Sequence, residues 1–129
     1  MTDARMPFRV GSIISADLTV PDAEKVRDFY QAVIGWQVED FDMGDYNDYL
    51  LKTADGDQPV GGVCHARGDN RALPPVWLVY VSVADLEQST KTCVDLGGKV
   101  LTQNDQYAVI QDPAGAILAI TREPDTAEF

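Results

Sequence analysis

A chain of 129 residues with 45% hydrophobic side chains is sized for one domain with a core that needs no disulfide staples. Its net charge of -11 at pH 7 argues against nucleic acid, whose phosphates demand basic patches, and against an anionic membrane surface. The polar start MTDARMPFR lacks the apolar core of a signal peptide, no stretch has the length of a membrane span, and Cys64 and Cys93 lack metal-motif spacing, so a cytoplasmic protein with reduced thiols is expected. The acidity either attracts cationic ligands or is a solvated, solubilising surface.

In chain order, the first strand alternates apolar Ile14, Ala16, Leu18 and Val20 with polar Ser15, Asp17 and Thr19. Asp22 suits a helix N-cap, and Glu24 adds charge at the positive helix end. Val26, Phe29, Tyr30 and Val33 follow at helical spacing, and Gly35 suits a left-handed C-terminal cap. Strand-like segments run from Trp36 to Phe41, Tyr46 to Thr53 and Gly61 to Ala66, separated by turn chemistry at Gly44-Asp45 and Asp55-Gly56. A polar, proline-closed linker covers residues 67–75. The second half repeats the order: a strand from Trp77, the cap Asp85, a thinner helical stripe of Leu86, Cys93 and Leu96, then Gly97-Gly98. Strands follow at Lys99 to Asn104, Tyr107 to Asp112 and Ala116 to Thr121, the last entered through the turn Asp112-Pro113-Ala114-Gly115.

The halves align at a constant offset of 63, Ser15 answering Leu78, with Val20/Val83, Asp22/Asp85, Glu24/Glu87 and Gly35/Gly98 identical. The class is therefore α+β: two tandem βαβββ modules in one domain over 1–129, module one about 10–66 and module two 76–123. With the segments VPDAEKVRDFYQAVIGW, VSVADLEQSTKTCVDLGGKVL and VIQDPAGAILAI, the chain resembles the vicinal oxygen chelate superfamily of glyoxalase I, bleomycin-resistance proteins and extradiol dioxygenases, in particular its small glyoxalase-like bacterial branch. The resemblance implies curled sheets around a cupped cavity, and commonly a homodimer.

It also implies up to four metal ligands, one from each of four strands. Carried over by position these are Ser15, His65, Leu78 and Ala119, His65 being placed by matching PVGGVCHA to PAGAILAI. Only His65 suits a divalent metal, and one imidazole makes no site, so no metal and no cofactor is expected. Strand parity turns Ser15, Asp17, Leu78, Tyr80 and Ala119 toward the cavity. Asp17 can bind a cation or act as a base, Tyr80 can donate or stack, and His65 can be a second acid-base group. Against this, Asp17 can be exposed at a strand end, Tyr80 can fill the barrel, and His65 can be a bonded structural residue. Cys64 and Cys93 read as small buried hydrophobes. The expected function is metal-free binding of a small aromatic or cationic molecule. The alternatives are a lyase, isomerase or dioxygenase, metal-dependent or built on Asp17, His65 and Tyr80, and an interaction module whose cavity is filled.

Overall fold

The computed structural model describes residues 9–122; the polar stretch Met1 to Phe8 and the end of the second module at residue 123 lie outside the described residues. The elements are β1 (Ile13–Val20), α1 (Ala23–Ile34), β2 (Gln37–Asp42), β3 (Asn47–Lys52), β4 (Pro59–His65), a 3-10 turn (Gly68–Asn70), β5 (Trp77–Val83), α2 (Leu86–Asp95), β6 (Lys99–Gln103), β7 (Tyr107–Gln111) and β8 (Ile117–Arg122). The class is α+β, and both βαβββ modules are present. The chain divides into two compact units, Ser15–Trp77 and the residues from Leu78 onward with those up to Ile14.

In the Ser15–Trp77 unit the strand order is β2-β3-β4-β1. β1 and β4 run parallel, Ala16 against Gly61 through Val20 against His65. β3 joins β4 and β2 antiparallel. Helix α1 covers one face. Its Val26 and Tyr30 pack with Trp36 and Trp77 on Leu18, Val20, Tyr49, Leu51 and Val63, of which Leu51 and Val63 are fully buried. Burying such side chains is worth about 1.5–3 kcal/mol each, so this face is the main anchor of the unit. Tyr30, Trp36 and Trp77 meet within 5.8 Å, and the Trp77 indole donates to the Tyr30 hydroxyl at 3.2 Å. The other unit repeats the topology as β5-β8-β7-β6, with β5 and β8 parallel. Its α2 packs on Ala108 and Ile120, with Val83, Val100, Ile110 and Leu118 around them.

The expected caps separate on inspection. Asp85 accepts from the Gln88 amide at 3.0 Å. Asp22 stands at the N-cap of α1 but makes no side-chain bond to the helix; its backbone, φ -110° and ψ 60°, departs from the extended form that aims a side chain at the first turn. Gly35 closes α1 in the left-handed region at φ 89°, which only glycine enters without strain. At the turn before β8, the Asp112 carboxylate accepts from the amides of Ala114 and Ala116.

Candidate functional site

The strand register sorts the expected site residues by face. Asp17 pairs with Gly62, and Gly62 with Leu50 on the other side. With a period of two, Ser15, Asp17, Asp48, Leu50, Gly62 and Cys64 share the face turned away from α1, while Leu18, Val20, Leu51 and Val63 share the helix face. Phe41, paired with Asp48, extends the first face onto β2.

A pocket of about 240 Å³ lies on this face. Gly62 is its floor. Cys64 lies along β4 from it, Asp17 of β1 stands to one side and Asp48 and Leu50 of β3 to the other, with Phe41 and Met43 at the rim. Tyr49 contributes its carbonyl, beside Gly62, while its ring belongs to the helix-side core under the Arg27 guanidinium. Two carboxylates and one thiol thus sit among apolar groups, and among the described residues no basic side chain lines the pocket.

Asp48 is tied to β4. Its Oδ1 accepts the His65 backbone N–H at 2.8 Å and lies 3.4 Å from His65 Nδ1. The Cys64 thiol lies near the same carboxylate. Burial foremost, then the charges of Asp17 and Asp48, push that thiol far above its ordinary pKa. Cys64 is therefore a neutral S–H donor, not a nucleophile, since the thiolate is the reactive form.

His65 lies elsewhere than the sequence match put it. It pairs with Val20 and shares the helix face with Val63. Its ring packs between Tyr46 and Tyr49, centroids 5.5 and 5.9 Å away, and Arg67 caps Tyr46 at 3.8 Å. The match was displaced by three residues, since Asp17 pairs with Gly62 as Tyr80 pairs with Ala119, and an odd displacement moves a residue across the strand because adjacent residues face oppositely. Gly62 holds the place on β4 that His65 was expected to hold. Asp48, Gly62, Phe41 and Met43 were not expected at all; only the pairing of β2, β3 and β4 brings them to Asp17.

In the other unit, Leu78, Tyr80 and Ala119 lie on the face away from α2. Tyr80 pairs with Ala119 and contacts the Tyr107 ring at 5.7 Å. Leu78 and Ala119 are buried and carry no donor atom. With Ser15 a neutral hydroxyl and His65 turned toward a helix, the residues at the superfamily's ligand positions do not fit a metal. Among the described residues no three His, Cys, Asp or Glu side chains come together to hold one.

A family model described as a glyoxalase-like domain matches residues 14–121. The chain is 30% identical over 136 residues to the anthracycline biosynthesis protein DnrV of Streptomyces peucetius, covering 90% of this chain and 48% of that protein. It therefore spans about half the length of this relative. Among solved structures, a methylmalonyl-CoA epimerase bound to methylmalonyl-CoA aligns with a TM-score of 0.56 at 15% identity, covering 92% of this chain and 98% of that one. The methylmalonyl-CoA epimerase of Mycobacterium tuberculosis aligns at 0.54 and 12%, covering 98% and 100%. At these identities the structural likeness is one of fold.

Proposed function

This chain belongs to the glyoxalase-like domain family of the vicinal oxygen chelate superfamily, and we propose that it binds a small aromatic cation in the pocket over Gly62, with no metal. The observation that carries this reading is the pair of carboxylates, Asp17 and Asp48, in a pocket otherwise lined by apolar groups and a neutral thiol. A carboxylate at a partly dehydrated surface attracts a cation more strongly than one in open water, because the local dielectric is lower. The same charges repel an anionic ligand, so an acyl-CoA of the kind bound by the epimerase neighbour is disfavoured at this pocket.

Size narrows the class. Pockets for whole drug-sized ligands run from about 300 to 1,000 Å³, so 240 Å³ suits a ring or an ammonium head. The rest of the molecule then lies over Phe41 and Met43, both nearly half exposed. The role of DnrV in anthracycline biosynthesis supports an aromatic ligand. An acid-base enzyme built on Asp17, His65 and Tyr80 draws less support, since Asp17 and His65 stand on opposite faces. The expected homodimer stands beside this reading as a proposal, read out by native mass spectrometry.

The test is a fluorescence titration with an anthracycline bearing an amino sugar, and with its aglycone, which lacks the amine. The glycoside binds more tightly than the aglycone. Asp17→Asn weakens the glycoside roughly 10- to 100-fold, the worth of one charge-assisted hydrogen bond, and leaves the aglycone nearly unchanged. Equal binding of both, indifferent to Asp17→Asn, refutes the proposal.

A further inference from the structure

Two adjacent glycines, Gly61 and Gly62, sit in β4, where glycine weakens a strand and calls for a reason. Neither has a positive φ, so conformational freedom is not that reason. Space is, and the two differ in what occupies it. A Cβ on Gly61 would lie 1.8 Å from the Ala16 carbonyl oxygen, so Gly61 is demanded by the β1–β4 ladder itself. A Cβ on Gly62 would point the other way, into the pocket. It would meet the Asp17 Oδ1 at 3.2 Å and the Tyr49 carbonyl oxygen at 3.2 Å. The carbonyl is held in the β3–β4 ladder, whereas the carboxylate sits at the end of a side chain and yields first.

From this we infer that Gly62 is the specificity-determining residue of the pocket: its missing side chain fixes how deep a cationic head can go and where the Asp17 carboxylate stands relative to it. The inference rests on the cation-binding reading above. A strand residue with a side chain at 62 would raise the floor and displace the carboxylate across the mouth. A bulky, substituted ammonium needs the depth that Gly62 leaves. A primary ammonium is small, reaches a displaced carboxylate by its own N–H bonds, and does not need it. Glycine here selects for substituted, sterically large cations over what a filled floor would admit.

The experiment is calorimetric titration with benzyltrimethylammonium and with benzylammonium, on the wild-type chain and on Gly62→Ala, Asp17→Glu and Asp17→Asn, with circular dichroism as the check of folding. Gly62→Ala weakens benzyltrimethylammonium roughly 10- to 200-fold, the range for one methyl group in a tight pocket, and benzylammonium by less than about threefold. Asp17→Glu keeps both glycines and narrows the same space from β1. It shows the same change of selectivity, and it decides the question if Gly62→Ala does not fold. Equal weakening of both probes by these variants, or no weakening, overturns the role of Gly62. Asp17→Asn weakens both probes if the cation reading is right. If neither probe binds the wild-type chain, or Asp17→Asn changes nothing, the cation reading fails and this inference with it.

Discussion

Gly61→Ala is the sharpest structural perturbation. The added Cβ would stand 1.8 Å from the Ala16 carbonyl oxygen, where ordinary contact needs about 3.4 Å. Strands pair about 4.8 Å apart, so β1 and β4 must separate locally by a large fraction of that spacing. The pairs Ala16 with Gly61 and Asp17 with Gly62 are the ones lost. At about 1 kcal/mol for each backbone bond, with some exposure of the Leu18 and Val63 contact behind them, the cost is about 2–4 kcal/mol. For a denaturant dependence of about 2 kcal/mol per molar, the urea midpoint falls by about 1–2 M. Far-UV circular dichroism during urea unfolding reads this directly. A midpoint within about 0.3 M of wild type would show that β1 and β4 are not paired as described. Gly62→Ala, whose contacts are 3.2 Å and include a side-chain carboxylate, costs less than about 1 kcal/mol in the same assay.

Two further outcomes follow from the caps and the buried thiol. Asp85→Ala removes the bond to the Gln88 amide and costs about 1 kcal/mol, whereas Asp22→Ala, with no such bond, costs a few tenths at most; equal urea midpoints for the two variants would contradict the assignment of the caps. The raised pKa of Cys64, driven first by burial and then by Asp17 and Asp48, means that the folded chain keeps a proton the unfolded chain releases above about pH 8.5. That contribution is fully present below pH 8.5 and is lost as the pH rises, by at most about 1.4 kcal/mol per pH unit. Tyr49, raised by burial and by Glu24, adds to the loss only above about pH 10. Urea unfolding between pH 8 and 10 therefore shows a steeper decline for wild type than for Cys64→Ser, and coincident slopes would remove Cys64 from this role.

Much of the fold was legible because the repeat says everything twice. The offset of 63 fixed the order of elements, and the strong alternation of β1 set Asp17 opposite Leu18 correctly. The same parity placed Trp77 on the helix side, where it packs on Tyr30. β4 resisted reading because PVGGVCH does not alternate: glycines stand on both faces, so hydrophobicity gives no register, and a slip of three residues, an odd number, carried His65 to the wrong side. Asp22 looked like a cap by residue type, but capping needs a backbone angle that residue type does not set. The pocket itself was hidden for another reason. Asp17, Asp48 and Phe41 come together only through the pairing of four strands, and Asp48 reads in sequence as one more charge in an acidic stretch.

The proposed site holds a cationic head group over Gly62 against Asp17 with no metal present. The most direct test is a two-dimensional amide NMR titration with benzyltrimethylammonium in the presence of excess EDTA, following the two β4 glycines, whose amides fall in a distinctive region of the spectrum. The account predicts a saturable shift of the Gly62 and Cys64 amides with EDTA present, lost in Asp17→Asn. Shifts that appear only after a divalent metal is supplied, or that leave Gly62 still while other residues move, would contradict it.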